Sequence, residues 1–351
     1  MKLSIIIPTN RAGRTAISII CEYIAFASDE IEVVIVDNSG NEEKSDFLKK
    51  LNGKNITYIC NPDVNGKTNL KIGMEQASGE YIFIGTDDDV LLPSGFDSLI
   101  QLVFSSTYGV EVSAFTGRYY LDRSGEFQSF KYNPLDHDSP TERVMSFFHS
   151  AGGLNVILFS VIRRKFVEMF VKYYNNHPAV FHFNDLLLTA SIIIFGKVYA
   201  TNSPFFIYDM LNWNSSEASL STHLNYYRQL DLDESLTVIH DLLLSLEVYH
   251  YLLGIKKGMG FSDDYNEAII RYFQIKHLNL KSTLRYHPER KGKYFKEACE
   301  LREKWVNKEI LGIEELKKDI SEFLVMVNPE KMKGYLKFIE KVSSGELFST
   351  E

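Results

Sequence analysis

Gly79-Glu80-Tyr81-Ile82-Phe83-Ile84-Gly85-Thr86-Asp87-Asp88-Asp89-Val90-Leu91-Leu92-Pro93 runs from an apolar stretch into three consecutive carboxylates. A short apolar run bounded by turn residues reads as a buried strand. The tip of such a strand is where an open α/β sheet places its ligands. Three adjacent aspartates repel one another. A hard divalent cation relieves that repulsion, because it takes oxygen ligands and keeps waters and substrate phosphates. A solvated acidic turn is the competing reading, since aspartate is a common turn residue.

Working outward, the preceding sequence repeats one theme. Leu3 to Ile7 reads as a buried strand, followed by the loop Pro8-Thr9-Asn10-Arg11-Ala12-Gly13-Arg14 and helical periodicity over Thr15 to Ala27. Ile31 to Val36 is a second strand, ending at Asp37-Asn38-Ser39-Gly40, with a helix over about Glu42 to Leu51. Ile56 to Ile59 is a third strand, and Leu70 to Ala77 a third helix. Strands alternating with helices predict a mostly parallel sheet covered on both faces. Thr9, Arg11, Asp37, Asn61 and Asp87 to Asp89 then gather at the C-terminal edge of the sheet, where a nucleotide binds at a topological switch point. No G-x-G-x-x-G follows the first strand and no G-x-x-x-x-G-K-[ST] occurs anywhere, which excludes a standard dinucleotide fold and a P-loop enzyme.

Ser4-Ile5-Ile6-Ile7-Pro8-Thr9-Asn10-Arg11, Val33 to Ser39, Asn65-Gly66 to Asn69, Ala77 to Ile82, and Thr86-Asp87-Asp88-Asp89 with Pro93 together resemble family 2 glycosyltransferases of the GT-A fold. The resemblance implies a GT-A, nucleotide-diphospho-sugar transferase fold and inverting sugar transfer. The donor it implies is a nucleotide sugar, a UDP-sugar first, assisted by Mn²⁺ or Mg²⁺ at a DxD-type motif. By the same resemblance Pro8, Thr9 and Asp37 hold the base and ribose, and Asn69 or Lys67 touches the donor. Asp37 also suits a turn or helix cap. Arg11 pairs with a phosphate or is a surface charge. Thr86 stands where the commonest pattern has its first Asp. That shift assigns Asp88 to the metal, Asp87 to the ribose, and Asp89 to the metal or a metal-bound water; an Asp87-x-Asp89 reading swaps these roles.

Further along, Tyr119 to Pro140 is polar and turn-rich and reads as an acceptor-side loop. Ala151-Gly152-Gly153-Leu154 is a loop of the kind that approaches a ligand closely, or a simple turn. In Phe181-His182-Phe183-Asn184-Asp185 the family's Glu-Asp pair is replaced by Asn184-Asp185. Asp185 resembles the general base that removes the acceptor's proton; the competing role is a first-turn carboxylate on the helix dipole. Relatives often carry an Arg and a His near Tyr208 to Ser216, and neither is present there, which leaves His223 as a substitute ligand and Trp213 as a sugar-stacking or core residue.

From about Leu224 long amphipathic helical patterns take over, giving an expected division into a catalytic domain over 1–223 and a helical region over 224–351. The helical region is Lys- and Tyr-rich, so its options are packing on the catalytic domain, a homodimer, or peripheral contact with an anionic membrane. The whole chain has 351 residues, a net charge of −8 and 24% charged residues, which argues against a nucleic-acid partner. Three scattered cysteines form no disulfide or metal pattern, and no transmembrane run is evident, so the expected location is cytoplasmic, including the inner membrane face. The acceptor is expected to be a glycan, lipid-linked saccharide or protein in polysaccharide biosynthesis. The rivals are a catalytically inactive glycan- or nucleotide-binding module on the same fold, and a sugar-nucleotide nucleotidyltransferase.

Overall fold

The structure is a computed structural model. It describes residues 2–105, 109–123, 125–131, 133–151, 155–178, 184–209, 221, 224, 227–228, 232–282, 292–308 and 312–349. The chain divides into two compact units. One comprises Met1–Asn175 and Ser191–Leu211, the other Asn176–Ala190 and Asn212–Glu351. Asn176–Ala190, which the sequence pattern leaves inside the first domain, thus groups with the C-terminal helices.

The first unit is built on a sheet of nine described strands. They are β1 (Leu3–Thr9), β2 (Ile31–Asp37), β3 (Ile56–Cys60), β4 (Tyr81–Ile84), β5 (Val90–Leu91), β6 (Val112–Arg123), β7 (Glu126–Phe130), β8 (Val161–Arg163) and β9 (Lys197–Asp209). Their order is β3-β2-β1-β4-β8-β6-β9-β5, with β7 paired to β6. β3, β2, β1 and β4 are mutually parallel. The chain moves outward from β1 to β2 and β3, then returns to the other side of β1 for β4. That reversal makes the C-terminal ends of β1 and β4 the switch point, the place where such sheets leave a crevice. Leu3, Ile5, Ile6, Ile7, Val33, Val34, Ile35 and Val36 are buried. Near-continuous apolar strands of this kind are required when helices cover both faces.

The connecting helices are α1 (Arg14–Ile24), α2 (Glu42–Lys49) and α3 (Gly66–Gln76), with α4 (Pro93–Ser105) after the acidic stretch. Asn41 and Asn65 cap α2 and α3 by accepting from the Lys44 and Thr68 backbone N–H groups. At Gly79 a Cβ would sit 2.5 Å from the Ser4 backbone nitrogen, so only glycine lets this turn lie against β1.

The expected loop over Tyr119 to Pro140 is corrected in its first half. β6 continues through Arg123 and turns back as β7, with Tyr119 opposite Phe130 and Arg123 opposite Glu126. Tyr119 and Leu121 are buried between polar neighbours, the alternation of a half-buried strand, and their rings and side chains outweigh the local turn composition. Gly125 supplies the positive φ of 93° that closes the hairpin.

The second unit contains α7 (Asn184–Phe195) in its first half, then α8 (His240–Gly258), α9 (Tyr265–Ser282), α10 (Phe295–Val306), α11 (Ile313–Val327) and α12 (Pro329–Ser343). Between α4 and α7 the first unit carries α5 (Pro140–Ala151) and α6 (Arg164–Asn176). Glu234–Gly258 is long and apolar enough, by length and composition, to cross a membrane, yet 72% of its apolar 18-residue window is buried in protein. Burial on most sides explains why α8 lacks the single polar face of a surface helix.

Candidate active site

The residues that gather at the switch point belong to the ends of β1, β2 and β4. Thr9 closes β1, and its hydroxyl donates to Asp87 Oδ2 at 2.6 Å, so one bond ties the two strands that flank the crevice. The Arg11 backbone N–H reaches the same oxygen at 3.2 Å. The Arg11 guanidinium donates to Asp87 Oδ1 at 2.5 Å and pairs with Asp88 Oδ2 at 2.7 Å. The loop after β1 therefore folds over the acidic stretch, and Gly13 with φ 110° turns the chain into α1.

The three aspartates occupy three different electrostatic settings. Asp87 is buried, which opposes ionisation, but the Thr9 hydroxyl and Arg11 outweigh that and hold its carboxyl below the usual range. Asp88 is 36% exposed, and burial together with the charges of Asp87 and Asp209 pushes it above the usual range despite Arg11. Asp89 is nearly inaccessible and is pushed up to about 7, first by burial and then by Asp88 and Asp209. Its oxygens are used inside the protein: Thr86 Oγ1 donates to Oδ2 at 2.9 Å and the Asp209 N–H to Oδ1 at 2.8 Å. Asp89 thereby fastens the acidic turn to the end of β9.

Asp37, at the end of β2, is 1% exposed. Oδ1 accepts from the Ser39 N–H at 2.9 Å and from Lys44 Nζ at 3.2 Å, and Oδ2 from the Tyr58 hydroxyl at 2.9 Å. The Ser39 bond is the turn role expected of Asp37, and the Lys44 and Tyr58 bonds tie it into the core at the end of β2. Asn69 is likewise buried in α3; its Nδ2 donates to the Val36 carbonyl at 2.7 Å and to Asn38 Oδ1 at 3.3 Å. Pro8 precedes Thr9 within β1 and lies opposite Val36. Lys67, in the first turn of α3, is almost buried, lies 5.5 Å from the Tyr174 ring, and burial lowers its pKa.

Asp185 sits in the first turn of α7, where its Oδ1 accepts from the Leu186 N–H at 2.8 Å. It belongs to the second compact unit, whereas Thr9, Asp37 and the aspartate triplet belong to the first. Within its own unit it is one of the two carboxylates, with Asp241, whose charge acts on Lys276. Gly152, Gly153, His182, Trp213 and His223 lie outside the described residues.

Three residues of this cluster were not singled out from the sequence: Lys44, Tyr58 and Asp209. Lys44 carries a readable signal, because it shares the buried face of α2 with Leu48 at i+4. Tyr58 and Asp209 carry none, since each is brought in by sheet pairing, Tyr58 opposite Ile35 and Asp209 opposite Asp122.

No group of three or more His, Cys, Asp or Glu able to hold a metal ion occurs among the described residues. A shared site is still chemically consistent. Asp88 is a half-open oxygen donor among like charges, and Mg²⁺-type ions are commonly held by one or two carboxylates with substrate phosphates and waters completing the shell.

The sequence model described as Glycosyl transferase family 2 matches residues 4–179. The chain belongs to this family. The match contains β1 from Ser4 onward, all of β2 to β4, the Thr9–Asp87 bond and the aspartate triplet. Among curated relatives, the uncharacterized glycosyltransferase MG060 homolog of Mycoplasma pneumoniae is 25% identical over 123 residues, 33% of this chain. The match spans only 41% of that relative's length. Among solved structures, a fragment of S. aureus TarS covering its residues 1–349 superposes with a TM-score of 0.51 at 12% identity, over 98% of this chain and 92% of that one. The same fragment in complex with UDP-GlcNAc gives 0.54 at 13% identity, with the same coverage. At these identities the likeness concerns the fold, and it establishes the GT-A-like architecture of family 2.

Proposed function

We propose that this family 2 protein transfers a sugar from a UDP-sugar to a saccharide-bearing acceptor, with inversion and with help from Mn²⁺ or Mg²⁺. The observation that carries the reading is the Thr9–Asp87 hydrogen bond across the switch point, with a half-open, like-charge-crowded Asp88 beside it. The similar TarS fragment has been crystallised with UDP-GlcNAc and with UDP, which makes a uridine diphosphate sugar the first donor to test.

In this reading Pro8, Thr9 and Asp37 line the base and ribose end, and Asn69 holds the end of β2 in place beside them. Asp37 Oδ2 accepts from the Tyr58 hydroxyl, and a carboxylate oxygen takes two donors, so the N3–H of uracil would be its second. Asp88 and Asp89 would hold a divalent cation, which would supply positive charge against the departing diphosphate. Arg11 already spans Asp87 and Asp88 and is 49% exposed, so its guanidinium is placed to turn towards a phosphate when one arrives. Asp185 accepts the proton of the acceptor hydroxyl as the new O–C1 bond forms; the C1–O bond to phosphate breaks and its electron pair leaves with UDP. The acceptor is a glycan, a lipid-linked saccharide or a protein. The working location is the cytoplasm or its membrane face, with peripheral contact or a dimer through the C-terminal helices. The rival is an inactive binding module, kept in view by Asn184 in place of the family's Glu.

The test is UDP binding by calorimetry with and without Mn²⁺, then transfer from a UDP-sugar panel. Asp88→Ala should abolish the manganese-dependent part of binding, and Asp185→Asn should retain binding and lose turnover by about a hundredfold or more. Full turnover by Asp185→Asn would remove the base assignment, and binding without transfer or hydrolysis would favour the inactive module.

A further inference from the structure

Lys44 is a lysine with no exposed surface, at the centre of the crevice edge. Its ammonium has three N–H groups and three acceptors: Thr9 Oγ1 at 2.6 Å, the Arg11 carbonyl at 2.8 Å and Asp37 Oδ1 at 3.2 Å. Those acceptors lie on the β1 end, on the loop after it, and on the β2 end. An ion buried this deeply is tolerated only when paired and fully hydrogen-bonded. Asp37 supplies the pair, and the two neutral acceptors complete the shell.

The arrangement does more than satisfy a charge. A hydroxyl has one proton to give. Because Lys44 occupies the acceptor side of Thr9 Oγ1, the Thr9 proton is directed to Asp87 Oδ2. Lys44 donates both ways, to Asp37 on one side and to Thr9 on the other, and the Thr9 hydroxyl carries the line on to Asp87, so the ammonium and the Asp87 carboxylate polarise the hydroxyl between them. Arg11, held by its carbonyl to Lys44, by its N–H to Asp87 and by its guanidinium to Asp87 and Asp88, is fixed from the same point.

We infer that Lys44 is a positioning residue for sugar transfer: it sets Thr9 and Asp37 for the nucleotide and, through the Thr9 hydroxyl and the Arg11 main chain, couples that end of the crevice to the aspartates at the diphosphate end. The inference rests on the donor reading above for its ligand and on the hydrogen-bond geometry for the coupling itself. Lys44 acts through Thr9, Arg11 and Asp37 and has no contact with the reacting atoms.

The experiment uses the full chain with UDP as the probe, in a cycle of Lys44→Met, Thr9→Val and the double variant. Thr9→Val removes the linking hydroxyl and leaves the Lys44–Asp37 pair, so it reads the coupling even if Lys44→Met folds poorly. Each single variant should weaken UDP binding by about tenfold, and the double should be no weaker than about twofold beyond either single, because both remove one line of contacts. Independent, multiplying losses would overturn the proposal, as would a Thr9→Val with wild-type affinity. A crystal structure of Lys44→Met supplies a second arm. The Thr9–Asp87 contact should be lost or lengthened, and its retention at the wild-type distance would overturn the coupling whatever the ligand. If the wild-type protein binds no UDP, the donor reading fails and the crystallographic arm alone decides for Lys44.

Discussion

Asp37→Asn isolates the stability carried by the buried ion pair at the end of β2. The substitution is nearly isosteric, so packing around Ile35 and Val36 is preserved, but Lys44 Nζ loses the anion 3.2 Å away while remaining at 0% exposure opposite a side chain at 1%. Removing one partner of a buried pair costs about 3–5 kcal/mol, because the remaining charge is stranded away from water. The asparagine oxygen still accepts a hydrogen bond from one of Ser39, Lys44 or Tyr58, which places the expected loss near the lower bound, about 3 kcal/mol. For a unit of this size each kcal/mol moves the midpoint by about 2–4 °C, so the melting temperature should fall by roughly 6–12 °C. Differential scanning calorimetry at neutral pH, in low and high salt, measures it. A buried pair is poorly screened, so the shift should persist in high salt. Asp88→Asn is the internal control. Its carboxyl is partly solvated and its partner Arg11 is half exposed, so the cost should stay within about 1 kcal/mol. A midpoint shift of less than about 2 °C for Asp37→Asn would refute the claim that the Lys44 charge depends on this carboxylate.

Two further outcomes concern other parts of the molecule. The His250 imidazole is lowered to about 3, first by burial and then by Lys317 and Lys257, while Ser343 Oγ lies 2.6 Å from its Nδ1. The unfolded chain therefore takes up a proton below about 6.5 that the folded state refuses, and this cost to stability grows as pH falls, by about 1.4 kcal/mol per pH unit at most. Urea midpoints at neutral pH and near pH 5 should show a steeper loss in wild type than in His250→Asn; equal slopes would remove His250 as the cause. Gly79→Ala should cost at least about 2 kcal/mol, because the added Cβ would sit 2.5 Å from the Ser4 nitrogen and 2.7 Å from the Leu3 carbonyl carbon, backbone that cannot move aside. An unchanged urea midpoint would show that the turn yields.

Much of the first compact unit was legible in the chain itself. The runs Leu3 to Ile7, Ile31 to Val36 and Tyr81 to Ile84 are strands as expected, since an apolar run flanked by turn residues has few other ways to bury itself. The β6–β7 hairpin was hidden, because a strand that is half polar looks like a loop until its partners are known.

By itself the sequence determined the order of strands and helices through β4, and hence that Thr9, Asp37 and Asp87 to Asp89 sit at strand ends on one edge. Periodicity and turn chemistry are local properties, complete within a dozen residues. The tertiary structure decided what each of those side chains does. Three chemically identical neighbours became a charged anchor, a half-open donor and an internal clasp because their partners, Thr9, Arg11 and Asp209, come from distant segments. A carboxylate's charge depends on burial and on the groups within a few ångströms, and those are fixed only when the sheet closes.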